Sequence, residues 1–168
     1  NMKLKDSKNN KIYEYEKYNL NLFKYWDEDL NYDFKIENDD NFGKLNIYKD
    51  GKLINEIIDH SDNINYVFYN RRLNMFATTS FDGFACIYIL PGKLISIIKH
   101  PDNLYFDEIF LSSNPFSTII TYEKTNNTLY SYSLIGILIK TKKFYDPNIR
   151  IVPVFNIYGG SFRDRIKV

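Results

Sequence analysis

The chain has 168 residues, a formal net charge of +1, 44% hydrophobic residues and 17% aromatic residues. Because each large aromatic side chain buries about 150–250 Å², this composition predicts a globular chain with a sizeable core and excludes disorder of the whole chain. The net charge offers no one-sided basic excess for nucleic acid or an acidic membrane surface. One cysteine excludes a disulfide framework, and no apolar run approaches the roughly 20 residues that span a bilayer, so we expect a reduced, cytoplasmic setting.

The first part of the chain is rich in predicted strands but interrupted by a polar insertion. Residues 1–19 are charged and low in complexity, with one short strand predicted at residues 11–16. Alternating apolar residues predict three further strands, at residues 20–26, 44–48 and 53–58. Residues 28–42 are rich in Asp and Asn, so we interpret them as a 15-residue insertion that forms a mobile surface loop.

Residues 60–100 carry the clearest unit of the chain. Runs rich in β-branched and aromatic residues predict four strands, at residues 64–69, 74–80, 84–89 and 94–99. Asp82-Gly83 supplies a tight hairpin turn after the second strand, and Pro91-Gly92 supplies the turn after the third. The unit is therefore predicted to be a four-stranded antiparallel sheet.

Residues 101–143 repeat this order in a weaker form. The predicted strands lie at residues 105–111, 116–123, 128–133 and 136–140. A turn is predicted at residues 112–115, and Asn126-Asn127 replaces the Asp-Gly hairpin turn while still permitting a positive φ. Residues 144–168 then begin a further unit, with strands predicted at residues 151–157 and 163–168.

A repeat of 40 to 44 residues connects these units. In each one a tyrosine ends an alternating run, and a glycine that follows within four residues opens the next run. The tyrosines are Tyr48, Tyr88 and Tyr132, and the glycines are Gly51, Gly92 and Gly136. This period, with short strands between turn residues, is typical of the blades of a β-propeller.

We therefore predict an all-β fold, a partial WD-repeat β-propeller with four-stranded antiparallel blades. Closed propellers have about 4 to 8 blades. This chain supplies only some four units, and the last has only two predicted strands, so we expect the propeller to be incomplete at both ends. Residues 1–19 are either a low-complexity lead-in or a strand of a preceding blade. The predicted blades are residues 20–59 with the insertion at 28–42, residues 60–100, residues 101–143, and the start of a further blade at residues 144–168.

Four polar side chains of the clearest unit predict a hydrogen-bond network. His60 precedes the first strand, Ser80 ends the second, Asp82 lies in the hairpin turn and Tyr88 ends the third. They resemble the His, Ser/Thr, Asp and Trp tetrad of WD-repeat proteins, with Tyr88 in place of Trp, and that resemblance implies a structural role. A buried carboxylate needs partners, so we expect Asp82 to hold one imidazole nitrogen while a hydroxyl meets the other.

Catalytic and metal-binding interpretations of these residues are weaker. A Ser–His–Asp hydrolase would need an exposed serine on a strand-turn-helix elbow, and no G-x-S-x-G surrounds Ser80. His60 and His100 are 40 residues apart at equivalent positions, which favours a shared structural role over a shared ion. We read Cys86 as a small buried apolar residue. We therefore assign no catalytic, cofactor-binding or metal-binding residue, and we expect no cofactor.

Two basic clusters raise the hypothesis of nucleic-acid or lipid-headgroup binding. They are Arg71-Arg72 and residues 140–143, and both lie in predicted turns, where solvated Lys and Arg are usual. Neighbouring Asp and Glu residues weaken their field. We therefore interpret both clusters as solvated turns and expect no nucleic-acid partner.

Longer motifs resemble the C-terminal propeller of BEACH-domain proteins, the neurobeachin and Chediak–Higashi group. They are Tyr25-Trp26-Asp27, the run from Asp82 to Leu94, the LSSNPF segment at residues 111–116, Ser131-Tyr132-Ser133 and Phe162-Arg163-Asp164. Trp26, Asp27, Tyr48 and Tyr132 are accordingly read as blade-signature residues. The resemblance implies a large cytoplasmic scaffold in vesicle trafficking, with a BEACH domain upstream and at most peripheral association with vesicle or organelle membranes.

We therefore predict a protein-interaction scaffold module without catalysis, whose loops present side chains to protein or peptide partners. Two alternatives stay open. One is a WD-repeat adaptor of another pathway, such as RNA processing or ubiquitin ligation, and the other is a propeller with an enzymatic site.

Overall fold

The computed structural model describes residues 32–112, 118–146 and 148 with their side chains. Five further strands are described by their backbone: Met2–Lys5, Ile12–Tyr15, Leu22–Lys24, Val152–Phe155 and Asp164–Lys167. Throughout these residues the regular elements are β-strands, and all the strand pairs are antiparallel. In the same residues no helix has the length and apolarity needed to cross a membrane.

The first sheet has six strands that pair in chain order. They are β1 (Met2–Lys5), β2 (Ile12–Tyr15), β3 (Leu22–Lys24), β4 (Tyr32–Asn38), β5 (Gly43–Lys49) and β6 (Lys52–His60). The strands predicted at residues 11–16 and 20–26 contain β2 and β3. Those predicted at residues 44–48 and 53–58 correspond to β5 and β6, with shifted ends.

The loop predicted at residues 28–42 is wrong over Tyr32–Asn38, which forms β4 and pairs with β5 along its whole length. Phe34 and Ile36 alternate with polar residues and are fully buried, so burial of these two side chains outweighs the loop-like Asp and Asn content around them. The turn itself is short, and the Asp39 amide donates to the Phe42 carbonyl at 3.0 Å. Residues 28–31 lie outside the described residues.

The second and third sheets each have four strands. The second contains β7 (Ile64–Asn70), β8 (Met75–Ser80), β9 (Phe84–Ile89) and β10 (Lys93–Lys99), and these bounds agree with the prediction to within one residue. The third contains β11 (Glu108–Ser112), β12 (Thr118–Glu123), β13 (Thr128–Ser133) and β14 (Leu138–Lys143). A last pair, β15 (Val152–Phe155) with β16 (Asp164–Lys167), lies within the strands predicted at residues 151–157 and 163–168, whose other residues lie outside the described ones.

Two strands of the third sheet differ from the prediction. β11 begins at Glu108 rather than at residue 105, although Phe106 just before it is fully buried. β14 runs to Lys143 rather than ending at residue 140, so the basic cluster at residues 140–143 lies in a strand and its placement in a turn was wrong. Ser112 ends β11, and the rest of the turn predicted at residues 112–115 lies outside the described residues.

The second sheet is buried on both faces, with alternate side chains in two different cores. On β7, Val67 and Tyr69 pack toward the first sheet, against residues that include Phe34 and Leu45. Tyr66 and Phe68 point the other way, into a core completed by the third sheet, where Phe110 contacts both rings. The three sheets therefore pack face to face in chain order.

Side-chain amides link the inner strands of neighbouring sheets. The Asn65 Nδ2 donates to the Phe106 carbonyl at 2.8 Å, and the Asn70 Nδ2 donates to the Leu111 carbonyl at 2.7 Å. Each bond joins residues 41 positions apart, which is one repeat. Both asparagines are buried, so these bonds give a partner to polar groups that would otherwise lack one in the core.

A β-bulge recurs at the same place in the three outer hairpins. The register between the last two strands shifts beside Tyr48 in the first sheet, beside Tyr88 in the second and beside Tyr132 in the third. A bulge bends a strand and increases its twist. The repeated tyrosine therefore marks where each outermost strand turns.

Candidate functional site: a buried network between the first two sheets

His60 and Asp82 form an ion pair between the end of the first sheet and a hairpin turn of the second. The His60 Nδ1 lies 2.9 Å from the Asp82 Oδ2, and the two side chains are 0% and 6% exposed. The Asp82 carboxylate also accepts from the backbone amides of Ser61 and Phe84. Gly83 in the same turn has φ 87, a conformation that glycine adopts readily.

The hydroxyl that meets the second imidazole nitrogen belongs to Thr78. Its Oγ1 lies 2.7 Å from the His60 Nε2. Ser80, the predicted partner, instead donates to the Asp62 carbonyl at 3.0 Å and accepts from the Asp82 amide at 3.1 Å. Ser80 therefore holds the turn in place and does not contact the imidazole through a hydrogen bond.

Tyr88 lies in the same interface but bonds to a different carboxylate. Its hydroxyl donates to the Asp59 Oδ2 at 2.9 Å, and its ring stacks on Phe76 with a centroid distance of 4.8 Å. Sequence reasoning missed both Thr78 and Asp59. A signal for each was present, because Thr78 shares a strand face with Phe76 and Ser80, and Asp59 immediately precedes the histidine.

The environment of His60 favours the charged imidazolium. Burial opposes the charge, but the hydrogen bond to Asp82 raises the pKa of His60 to about 9. Burial likewise opposes the charge of Asp82, yet the bonds from His60 and Phe84 hold the pKa of its carboxyl below the ordinary value. The charged imidazolium then donates from both nitrogens, to Asp82 and to Thr78.

The third sheet carries a reduced version of the network around His100. Its Nδ1 accepts from the Asp102 amide at 3.0 Å, and Asn126 stands in the hairpin turn where the second sheet has Asp82. Burial lowers the pKa of His100, and its ring packs against Phe106 and Tyr130. Glu123 accepts from the Asn126 amide and replaces Ser80 at the turn.

The arrangement is unsuited to hydrolytic chemistry. The hydroxyl on His60 is that of Thr78, which is 0% exposed, and the Ser80 hydroxyl is already donated to a backbone carbonyl. A nucleophile must reach its substrate, and neither oxygen is open to one. Within residues 32–112, 118–146 and 148, no group of three or more His, Cys, Asp or Glu side chains is placed to hold a metal ion.

The remaining predicted residues lie apart from this network. Tyr48 is half-buried beside its bulge in the first sheet, and Tyr132 is buried in the third. Cys86 is buried and free, beside His60. Trp26 and Asp27 lie outside the described residues.

Stacked antiparallel sheets that repeat at this period, two of them four-stranded, define the class: the chain has the fold of a partial WD-repeat β-propeller. It is similar to the crystal structure of Hsv2 from Kluyveromyces marxianus, a WD-repeat propeller, with a TM-score of 0.52 and 22% sequence identity over 63% of this chain. The matched part is 33% of Hsv2, so the chain spans about a third of that protein.

A second solved structure, a chain of the mitotic checkpoint complex, matches with a TM-score of 0.37 and 10% identity over 75% of this chain and 56% of its own length. No family model matches the chain. No curated protein matches it either.

Proposed function

We propose that the chain is a protein-interaction scaffold module of a BEACH-domain protein that acts in vesicle and membrane trafficking. In this proposal β3 to β6 of the first sheet form the blade expected at residues 20–59, and the other three sheets are the blades expected at residues 60–100, 101–143 and 144–168. The protein works in the cytoplasm and associates peripherally with vesicle or organelle membranes.

One observation supports the scaffold role most directly: four largely buried polar side chains hold the sheets together. His60, Asp82, Asn65 and Asn70 all spend their donors and acceptors within or between sheets. A rigid stack of this kind leaves turns and outer strands as its free surface, and surfaces held by a rigid framework are suited to partner binding.

The BEACH assignment rests on the sequence motifs, and the upstream part of the gene tests it. We expect the transcript to encode a BEACH module before residue 1 of this chain. A transcript that lacks this module would replace the trafficking assignment with the adaptor alternative, since the fold is common to both.

The cellular role is tested with the full-length protein tagged at its own locus. We expect it to float with vesicle membranes in a density gradient, to be released by high salt as a peripheral protein, and to cross-link to protein partners. Recovery with ribonucleoprotein or ubiquitin-ligase assemblies, away from membranes, would contradict the trafficking role.

The absence of catalysis is tested separately with Ser80→Ala and Thr78→Val. Both variants and the unmodified protein are expected to turn over neither esters nor peptides. If the unmodified protein did turn over a substrate, and Ser80→Ala abolished this activity at an unchanged melting temperature, Ser80 would be a nucleophile. Its interpretation as a structural residue would then be wrong.

A further inference from the structure

A contact between neighbouring sheets recurs at their outer edges. In the second sheet, Gly92 packs on Asn55 and Ile57 of β6 so closely that an added Cβ would overlap the Asn55 amide and lie 2.9 Å from the Ile57 Cδ1. The Asn55 Nδ2 also donates to the Pro91 carbonyl at 3.0 Å. The outer hairpin of the second sheet thus docks on the outer strand of the first through a glycine.

The third sheet docks on the second in the same way. An added Cβ on Gly136 would lie 2.9 Å from the Ser96 Oγ and 3.6 Å from the Ile98 Cγ1, both on β10. Ser96 and Ile98 are buried by this contact. Two residues of each outer strand, one small or polar and one isoleucine, therefore receive the glycine turn of the next sheet.

The equivalent residues of the third sheet are Lys140 and Lys142. Counted from the bulge tyrosine, Lys140 pairs with Ser131 as Ser96 pairs with Ile87, and Lys142 pairs with Leu129 as Ile98 pairs with Ala85. The two lysines therefore lie on the face of the third sheet directed away from the second. We call Leu129, Ser131, Lys140 and Lys142 the lysine face.

The lysine face is chemically different from the two surfaces that receive a glycine turn. Lys140 and Lys142 are exposed, and within the described part of the chain neither makes an ion pair with a carboxylate. An apolar turn that covered them would bury two unpaired positive charges, which costs free energy. Ile137 and Ile139 beside them are each 60% exposed, so this edge is apolar as well as cationic.

We propose that the lysine face and the neighbouring edge of β14 bind an extended acidic segment of a partner protein. Resting on the scaffold function proposed above, this inference names the class of partner. β14 ends its sheet among the described strands, so its outer backbone groups can pair with an added strand. Lysines two positions apart share one side of a strand, and carboxylates at alternate positions of an extended peptide match that spacing.

Nucleic acid fits this surface less well. The chain as a whole is nearly neutral, so it lacks the broad basic field that phosphate backbones require. Lysines at a sheet edge can also serve to prevent aggregation. The exposed Ile137 and Ile139 beside them would favour aggregation, so this role does not explain the edge as a whole. A strand edge that combines lysine with isoleucine is better matched to a peptide of alternating acidic and uncharged residues.

The test uses the full chain and a short fluorescent peptide in which Glu and Thr alternate. The double variant Lys140→Ser with Lys142→Ile gives the third sheet the residues of the second and removes both charges. Lys93→Ser with Lys99→Ser, two exposed lysines of β10, is the matched control. We expect the first variant to bind the peptide about fivefold more weakly than the control, with the difference decreasing at high salt.

Three results would overturn the inference: equal binding by the two double variants, equal binding of a matched Gln-Thr peptide, or binding of a single-stranded oligonucleotide in place of the acidic peptide. Circular dichroism and melting temperature of both variants confirm that they are folded. The full-length protein carrying each double variant is also cross-linked in cells. If the cross-linked partners persist while the acidic peptide does not bind, only the lysine face is refuted and the scaffold function stands.

Discussion

The Tyr88 hydroxyl donates to Asp59 at 2.9 Å, one residue before the histidine that pairs with Asp82. Two consecutive residues at the end of β6 are therefore held by side chains of the second sheet, one in a phenol–carboxylate bond and one in an ion pair. The first two sheets are joined here by polar bonds as well as by the apolar core.

We predict that Tyr88→Phe lowers the free energy of unfolding by only about 0.5–1.5 kcal/mol, since it removes one hydrogen bond and keeps the ring. Tyr88→Ala also loses the stack on Phe76, so its cost is expected to be about 3–5 kcal/mol. Urea unfolding measures both. Equal losses would show that the hydroxyl, and not the ring, provides the stability.

Asp82→Ala is expected to lower the free energy of unfolding by about 1–3 kcal/mol, because His60 and the amides of Ser61 and Phe84 lose their acceptor. Asp40→Ala, in an exposed turn of the first sheet, is the matched control and should change stability little. Thermal melts of the three proteins check this. A melt unchanged by Asp82→Ala would contradict a stabilising network.

Stability should fall as pH rises from about 6.5 to about 9. The folded-state pKa of His60 is raised from 6.5 to about 9, so its contribution is complete below 6.5 and is lost as the pH passes 9. The expected loss in the free energy of unfolding is on the order of 1–3 kcal/mol. Urea unfolding at several pH values across this range measures it.

The control for this pH dependence is His60→Gln, which should flatten the profile. His100 does not confuse the measurement, because burial lowers its pKa and places its effect below pH 6.5. Asp82 has a lowered pKa, so its contribution is lost only as the pH falls below 3.8. A profile that stays sloped in His60→Gln would assign the titration to another group.

Asn65 is expected to couple the second and third sheets through Thr79. The Thr79 hydroxyl donates to the Asn65 Oδ1 at 2.7 Å, which directs the Asn65 amide toward the Phe106 carbonyl. We predict that Asn65→Ala costs about 1–3 kcal/mol and Thr79→Val less. In a double-mutant cycle the two losses should not add, since they break one chain of bonds. Additive losses would show that the two residues act independently.

The strands were predictable where local pattern and tertiary burial agree. In the second sheet, turn residues such as Asp82-Gly83 flank the apolar runs and therefore determine where the strands end. Around Phe34 and Ile36 the frequent Asp and Asn residues obscured two alternating apolar positions. These residues form a strand through pairing with β5 and packing against the second sheet. Composition describes a segment by itself and does not include the neighbour that buries it.

The candidate site was predictable to the level of residue type but not of partner. His60 and Asp82 follow from their resemblance to a known tetrad and do form a pair. Thr78 and Ser80 lie two residues apart on the same strand face, and the sequence does not show which hydroxyl reaches the imidazole. The lysine face could not be predicted from the sequence either. The side of the sheet on which Lys140 and Lys142 lie depends on the strand register, which includes an extra residue at the bulge.

The three bulges, each beside its tyrosine, have an evolutionary consequence. Each repeat encodes its own curvature, so a copied or deleted repeat would leave the bend of its neighbours intact. Lineages could therefore change the number of repeats by unequal recombination and still produce chains that fold. Selection would then act mainly on the seam where new neighbours meet.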